Sequence, residues 1–346
     1  MFGTRTRWIV RCAFVIASLA IASGEARAAA SAAVQNQTAP QSSSVKKSTT
    51  VAKRPPRSRR AVRAARAARA LSEAATPRYR VDSQTGSVVP DLRAAAAIIY
   101  DPQTGEVIWQ ENAQDQRSIA SITKVMTAVV FLEGNPDLDQ LEVITRDDIR
   151  GASITYLKVN DRVSIDDLLH LLLIPSDNAA ARALANTYPG GIHAFVERMN
   201  QKARDLNLES TQYADPSGLL SDNVSSAYDM ARLIAYAASN PKISDIMRTP
   251  EYSFQTVKRR MITVRSTNQL VRQGDIDVVG GKTGFISKAG YCIATLLRLP
   301  QGGPEIAVVV LGAQSNLGRF WETRHLFNWF TENAQSLFST ALPKDN

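Results

Sequence analysis

Cysteine is scarce in this sequence, which has 346 residues but only Cys12 and Cys292. Cys12 lies at the start of a short apolar stretch near the N-terminus, and Cys292 lies in GYCIATLL, which predicts a buried strand. If the N-terminal stretch is removed, one cysteine remains and no internal disulfide can form. The folded part is therefore expected to depend on its hydrophobic core, for which 44% hydrophobic residues are sufficient.

Histidine is equally sparse, with His170, His193 and His325 far apart in the sequence. The sequence contains neither a His-Glu-x-x-His run nor a Gly-x-Ser-x-Gly elbow, so the patterns of zinc hydrolases and Ser-His-Asp hydrolases are missing. We therefore predict no metal and no cofactor. His170, inside LLHLLL, is interpreted as a structural residue.

The first apolar stretch is too short for the roughly 20 residues that cross a membrane. Three arginines precede it, and the small-x-small pattern Ala26-Arg27-Ala28 follows it. This arrangement is typical of a secretory signal peptide, here residues 1–28 with cleavage after Ala28. It predicts a periplasmic or secreted protein, and a signal retained as an N-terminal anchor is the alternative.

The net charge of +9 is unevenly distributed along the chain. Residues 29–80 alone carry +11, whereas residues 81–346 carry −5. The basic segment is rich in Ala, Ser, Gln and Pro, so we predict an unpacked, low-complexity tether over residues 29–90. Arginine recurs there at every third position from Arg60 to Arg69, which would form a cationic stripe for an anionic envelope surface if the segment were helical. A plain solvated tether is the preferred interpretation, and the stripe is the alternative.

Strand patterns occur near both ends of the remaining chain, residues 91–340. AAAAIIY and EVIWQ flank the turn DPQTG as a predicted hairpin. Further strands are predicted from Met261, Val278, Tyr291 and Glu305, and helices from Ser121, after a cap at Ser164, from Ser176, Ile192, Ser225 and Leu317. We therefore predict one α/β domain in which strands from both chain ends form one sheet, with a helical middle and covering helices.

Lys124 lies in the small and apolar run SIASITKVMTA, three residues after Ser121. Residues i and i+3 are neighbours on a helix, so the lysine amine can reach the Ser121 hydroxyl. A serine needs a base to attack a carbonyl, and lysine can be that base near pH 7 only if its pKa falls by about 3 from ~10.4. By itself the pair also fits a core serine beside an unreactive lysine.

The same Ser-x-x-Lys pattern recurs at three places where it does not open a helix. Ser43 and Ser44 lie in the tether, and Ser239 is separated from Lys242 by Pro241, which interrupts a helix. Only the pair at Ser121 begins an uninterrupted helical pattern.

Two further motifs follow in the chain. Ser176-Asp177-Asn178 opens a predicted helix, and Lys282-Thr283-Gly284 lies on a late strand. Ser-x-x-Lys, Ser-x-Asn and Lys-Thr-Gly in this order resemble the serine D,D-peptidases and class A β-lactamases, the penicillin-recognising family. The resemblance covers roughly residues 92–335, and DPSGL, KTGFI and AGYC are most similar to the D-alanyl-D-alanine endopeptidases of that family. It implies a β-lactamase/D,D-peptidase-like fold with an antiparallel sheet.

Ser221-Asp222-Asn223 and Ser266-Thr267-Asn268 also fit Ser-x-Asn. In the family this motif lies on the loop between two central helices, which matches Ser176 rather than a turn or a strand end.

The resemblance also implies roles for the motif residues. Ser121 is expected to attack the D-Ala carbonyl, Lys124 to take its proton, and Ser176 to relay a proton to the leaving amine. Asn178 is expected to hold the substrate backbone. The oxyanion is expected to bind backbone N–H groups of Ser121 and Phe285.

The Lys-Thr-Gly motif is expected to bind the other end of the substrate. Lys282 would attract its carboxylate or carbonyl and, as a second cation, keep Lys124 neutral. Thr283 would donate a hydrogen bond there, and Gly284 would let substrate backbone approach the strand.

By resemblance, the chain is expected to be a serine D-alanyl-D-alanine endopeptidase or carboxypeptidase that acts on peptidoglycan peptides and is inhibited by β-lactams. A class A β-lactamase would need a Glu-x-x-Leu-Asn run, which is absent. A carboxypeptidase with a second, all-β domain would need more than the 62 residues that follow Gly284, so the single-domain endopeptidase is favoured. An inert cell-wall-binding module is the non-enzyme alternative, and no nucleic-acid partner is expected.

Overall fold

The computed structural model describes residues 75–339, with side chains described up to Asn333. The predicted signal peptide and most of the predicted tether lie outside the described residues. Within 75–339, no helix is long and apolar enough to cross a membrane.

In chain order the strands are β1 (Tyr79–Val81), β2 (Val88–Pro90), β3 (Ala96–Tyr100), β4 (Val107–Glu111), β5 (Arg117–Ser118), β6 (Leu141–Val143), β7 (Arg162–Ser164), β8 (Val224–Ser225), β9 (Glu251–Gln255), β10 (Met261–Arg265), β11 (Asp277–Ile286), β12 (Gly290–Arg298) and β13 (Glu305–Ala313). The helices are α1 (Thr123–Glu133), α2 (Arg146–Ile149), α3 (Ile165–Leu173), α4 (Asn178–Asn186), α5 (Gly191–Asp205), α6 (Ala227–Ala238), α7 (Pro241–Met247), α8 (Gln269–Gln273) and α9 (Asn316–Ser339).

The main sheet is antiparallel and has the strand order β11-β12-β13-β3-β4. The late strand β13 pairs with the early strand β3, with Val309 opposite Ile98. Strands from both chain ends therefore meet in one sheet, as the sequence predicts, and the hairpins β3–β4 and β12–β13 are confirmed. The other strands form four separate two-stranded ribbons, which are β1–β2, β5–β8, β6–β7 and β9–β10.

Alternate residues of the sheet face two apolar layers. Val309 packs with the helical middle of the chain, whereas its neighbours Val308 and Val310 pack with α9 through residues such as Phe327. This alternation follows from the two-residue period of a strand, and it explains why β12 and β13 are apolar throughout. The sheet thus lies between the helices that carry the site and the closing helix.

The described structure includes residues before the predicted boundary at residue 91. Residues 79–90 form the hairpin β1–β2, and Trp329 on α9 donates a hydrogen bond to the Val88 carbonyl at 3.1 Å. An ion pair between Arg78 and Asp91 closes the hairpin. These strands are short and exposed, so they lack the apolar alternation by which a strand is recognised in sequence.

Two helix starts differ in detail from the prediction. Ser121 lies in a 3₁₀ turn over Ala120–Ile122, and the α-helix begins two residues later at Thr123. The helix predicted from Ser176 begins at Asn178 instead, because Asp177 is its N-cap and accepts hydrogen bonds from the amides of Ala179 and Ala180. Ser164 caps α3 as predicted, by accepting from the Asp167 amide at 3.1 Å.

Candidate active site

A cleft of about 480 Å³ lies between the edge strand β11 and the helical part of the domain. It is lined by Ser121, Ser153, Ile154, Pro175, Ser176, Asn178, Leu219, Thr267, Thr283, Gly284, Phe285, Ile286, Ser287 and Arg319. Six of the eight sequence-predicted site residues belong to this lining. The other two, Lys124 and Lys282, are buried to 0% and 1% exposure.

The structure brings Ser121 and Lys124 into contact. The Lys124 Nζ lies 3.1 Å from Ser121 Oγ, because the 3₁₀ turn continues directly into α1 and places the two side chains three residues apart on one face. Nζ also donates to Asn178 Oδ1 at 2.6 Å and to the Ser217 carbonyl at 2.5 Å. The amine is therefore held from three sides without any direct ion pair.

The hydrogen bonds of Asn178 determine how the N–H bonds and the lone pair of the Lys124 amine are used. Asn178 Nδ2 donates to the Ala152 carbonyl at 2.7 Å, so its Oδ1 must be the atom that faces Lys124. Oδ1 and the Ser217 carbonyl can only accept, and together they use two N–H bonds of the lysine. A neutral amine has two N–H bonds and one lone pair, so the lone pair is left for the Ser121 hydroxyl proton. This is the geometry of a general base.

Burial makes the neutral form of the Lys124 amine accessible near pH 7. Burial lowers the pKa of Lys124 from 10.5 to about 7. The carboxylates of Asp215 and Asp177 oppose this change, and the Arg182 guanidinium adds to it. The pKa drop that the sequence argument required is therefore present in the folded chain.

The expected role of Lys282 as the cation that keeps Lys124 neutral stays a prediction. Burial lowers the pKa of Lys282 well below 10.5, and the charges of Lys124 and Arg319 lower it further. The two buried lysines therefore do not favour being charged at the same time. Its Nζ donates to the Thr283 carbonyl at 2.9 Å.

Ser176 has a strained backbone and an unsatisfied side chain. Its φ of +67° is unusual for a residue other than glycine, and its Oγ is buried without a hydrogen-bond partner. Both features cost stability, and Ser176 lines the same cleft as Thr283 and Gly284. Such a hydroxyl can pass a proton to a bound substrate.

Glycine at position 284 is required by the contact between β11 and the serine turn. A Cβ atom there would lie 2.6 Å from the Ile119 carbonyl oxygen and 3.0 Å from the Ser121 amide nitrogen. From the sequence, Gly284 is expected to let the substrate backbone approach the strand. The structure shows that the close packing of the serine turn against β11 also requires a glycine here. Ser121 and Phe285 both line the cleft, and the assignment of their N–H groups to the oxyanion stays a prediction.

The loop DPSGL, residues 215–219, contains positioning groups that sequence reasoning did not identify. Asp215 accepts from the amides of Ser217, Gly218 and Leu220 at 2.6 to 2.8 Å. This network holds the Ser217 carbonyl in the position where it accepts a hydrogen bond from Lys124 Nζ. A Cβ at Gly218 would lie 2.0 Å from the Ala120 carbonyl, so the loop packs tightly against the serine turn. The only sequence signal was the resemblance of the motif itself.

Arg319 is a further cleft residue that the sequence argument missed. Its Nη1 donates to the carbonyls of Gly284 at 2.9 Å and Cys292 at 3.2 Å, and its Nε is buried without a partner. Burial lowers its pKa to about 10, so it stays charged near pH 7. It is 37 residues from Lys282, in a helix that the sequence assigned only to the core.

Thr283 Oγ1 donates to Thr267 Oγ1 at 2.6 Å. This contact makes Thr267, from the second alternative Ser-x-Asn motif, a cleft residue. Asn268 of the same motif caps α8 instead, and Asn223 of the first is buried and accepts from the Ala214 amide. Lys242 of the alternative Ser-x-x-Lys pair forms an ion pair with Asp166.

The chain is similar to a known protein family and to several known proteins. Residues 83–315 match the family described as D-alanyl-D-alanine carboxypeptidase. A D-alanyl-D-alanine endopeptidase of Pseudomonas aeruginosa is 35% identical, over 69% of this chain and 77% of its own. The D-alanyl-D-alanine endopeptidase of Escherichia coli is 33% identical, over 69% and 78%.

Carboxypeptidases and a transpeptidase are also similar. The D-alanyl-D-alanine carboxypeptidase DacD of Escherichia coli is 33% identical, over 70% of this chain but 64% of its own length. The crystal structure of the Streptomyces K15 DD-transpeptidase has a TM-score of 0.65 and 27% identity, over 69% of this chain and 97% of that one. The predicted family resemblance and fold class are confirmed by these similarities.

Proposed function

The chain belongs to the D-alanyl-D-alanine carboxypeptidase family, and from this premise we propose that it hydrolyses D-Ala peptide bonds of peptidoglycan through an acyl-enzyme on Ser121. The observation that carries the proposal is the Lys124 amine, whose two N–H bonds are directed to Asn178 and Ser217 and whose lone pair is left for Ser121. The same serine would be acylated by β-lactams.

The reaction follows from these positions. As Ser121 Oγ attacks the D-Ala carbonyl carbon, its proton moves to Lys124 Nζ, and the oxyanion is held by backbone N–H groups. When the tetrahedral intermediate collapses, Lys124 gives up this proton, which reaches the leaving amine through the Ser176 hydroxyl. Water then attacks the acyl ester and loses a proton to the neutral Lys124, which passes it to Ser121 Oγ as the peptide carboxylate is released.

Endopeptidase action on crosslinks is the preferred assignment. Two relatives named D-alanyl-D-alanine endopeptidase share 35% and 33% identity and are covered to 77% and 78% of their length. The carboxypeptidase DacD is covered to only 64%. This agrees with the motif resemblance to penicillin-binding protein 7, a D-alanyl-D-alanine endopeptidase.

The two alternatives have less support. Among the residues that line the cleft in the described part of the chain, none is Asp or Glu, so no carboxylate is placed to activate water as β-lactamase turnover would need. An inert wall-binding module would have no use for a buried lysine directed at a partly buried cleft serine, because burying an amine without a carboxylate partner is costly.

We also propose that the chain is exported and that its basic segment contacts the anionic envelope. The N-terminal pattern of residues 1–28 supports export, and the charge of +11 over residues 29–80 supports the contact. Export predicts a mature N-terminus at Ala29. The contact predicts that the mature chain binds anionic lipid vesicles more tightly than a chain beginning at Ala75, and that this difference shrinks at high salt.

Digestion of purified muropeptides tests the assignment. Crosslinked dimers and uncrosslinked pentapeptides are incubated separately with the protein, and the products are identified by mass. Loss of the crosslink ahead of loss of the terminal D-Ala supports the endopeptidase. The reverse order assigns a carboxypeptidase, and no product from either substrate contradicts hydrolysis. The Ser121→Ala protein is the matched control.

A further inference from the structure

A second cavity, of about 310 Å³, lies beside the active-site cleft and has no part in the reaction described above. Its polar lining includes Arg117, Ser118, Ser221, Asp222 and Lys288, and we refer to it as the basic cavity. It is formed by β5, the loop before β8 and the turn between β11 and β12.

The basic cavity adjoins the cleft along two chain segments. Leu219 lines the cleft while Ser221, two residues later, lines the basic cavity. In the turn after β11, Ser287 lines the cleft and the next residue, Lys288, lines the basic cavity. A peptide bound in the cleft therefore passes close to the mouth of the basic cavity.

The cations of the basic cavity are unpaired. Among the described residues, neither the Arg117 guanidinium nor the Lys288 ammonium has a carboxylate within ion-pair distance, and Arg117 Nε is buried without a hydrogen-bond partner. Ser118 is 7% exposed, and its Oγ also lacks a partner. By contrast, Arg198, Arg260 and Arg298 all form ion pairs.

The local charge is also opposite to that of the domain. Arg117 and Lys288 give two positive charges, and Asp222 gives one negative charge, whose Oδ1 lies 3.3 Å from Ser221 Oγ. The basic cavity therefore has a net positive charge, although residues 81–346 carry −5. A half-buried, unpaired guanidinium is costly unless an anion binds to it.

We propose that the basic cavity binds a carboxylate that the peptide substrate carries on a residue away from the scissile bond, and so selects substrates in which that carboxylate is free. The proposal rests on the peptidase function described above. Arg117 presents a planar donor fork that suits a carboxylate, Lys288 adds a flexible cation at the exposed side, and the Ser118 hydroxyl supplies a further donor.

The test uses pairs of synthetic peptides that end in D-Ala-D-Ala. In each pair one member carries a carboxylate one, two or three residues before the D-Ala-D-Ala end, and the other carries the carboxamide at the same place. The measured quantity is the ratio of kcat/KM for the two members. We expect one pair to favour the carboxylate by about 5- to 20-fold, as a charge-assisted bidentate contact would give. Equal rates in all three pairs would overturn the proposal.

Substitutions that are expected to change the carboxylate-to-carboxamide ratio in opposite directions make the test specific. Lys288→Gln and Arg117→Lys should lower the carboxylate-to-carboxamide ratio, and Asp222→Asn should raise it. Lys258→Gln, on the exposed turn between β9 and β10, is the matched control and should leave the ratio unchanged. Lys288 is exposed, so its substitution is expected to leave the chain folded even if the Arg117 variant is unstable. A ratio that Lys288→Gln and Asp222→Asn do not move would contradict the assignment to this cavity.

Penicillin labelling separates this proposal from the proposed function. Because penicillin acylates Ser121 without carrying the peptide carboxylate, labelling reports on the catalytic residues alone. Labelling together with equal rates for carboxylate and carboxamide peptides rejects the cavity and retains the peptidase. Absence of both labelling and peptide cleavage rejects the peptidase, and the cavity assignment with it.

Discussion

The pH dependence of acylation follows directly from the buried lysine. With a pKa of about 7, Lys124 is about half neutral at pH 7 and roughly 1% neutral at pH 5. If only the neutral amine accepts the Ser121 proton, the second-order rate constant for acylation by a chromogenic β-lactam should fall about 50-fold between these two pH values. Above about pH 8 it should level off, because nearly all of the lysine is then neutral.

Lys124→Arg provides the matching perturbation. The guanidinium keeps a positive charge but cannot give up its proton near neutral pH. Acylation should therefore fall by at least ~10²-fold, the usual contribution of a general base, and no higher pH in the working range should restore it. Lys242→Arg makes the same substitution in the alternative Ser-x-x-Lys pair and should keep the wild-type profile. The reasoning is refuted if Lys124→Arg is acylated at nearly the wild-type rate, or if the wild-type rate is flat from pH 5 to 7.

Three further measurements test separate parts of the site. Asn178→Asp places a carboxylate at the position of the Asn178 Oδ1 atom, which lies 2.6 Å from Lys124 Nζ, and should therefore raise the pKa of the lysine. Acylation should then fall at least ~10-fold at pH 7 and recover toward pH 9. An acylation rate that does not recover at the higher pH would contradict this reasoning. Gly284→Ala should slow acylation because its Cβ would displace the serine turn, whereas Gly134→Ala, whose Cβ meets nothing closer than 3.5 Å, should be tolerated in the same assay. Lys124 should contribute about 2 kcal/mol to a rise in the free energy of unfolding between pH 7 and 9, because it binds its proton mainly after unfolding in that range, so the rise should be smaller by about that amount in Lys124→Met than in the wild type. Equal rises in the two proteins, measured by denaturant titration, would oppose the burial argument.

The fold was largely predictable because its strongest signals are local. The hairpin around DPQTG and the apolar strands from Tyr291 and Glu305 have unambiguous patterns, and both are present. The pairing of β13 with β3 followed from the position of strands at both ends of the chain. The hairpin over residues 79–90 could not be predicted, because its strands are short and its stabilising contact with Trp329 joins positions far apart in sequence.

The site shows the same division between local and long-range information. Ser121, Lys124 and the motifs at Ser176 and Lys282 were predicted, and the structure places all of them at or directly behind one cleft. Arg319 could not be predicted, since nothing in its helix distinguishes a cleft residue from a core residue. The lowered pKa values of the two lysines also depend on burial, which only the folded chain determines.

Mass analysis of the protein after exposure to penicillin tests the central claim most directly. The account predicts one covalent adduct per chain, located at Ser121 by peptide mapping. Ser121→Ala should carry no adduct, and Ser239→Ala, in the alternative motif, should be labelled like the wild type. An adduct that persists in Ser121→Ala, or a wild-type protein that carries none, would contradict the account.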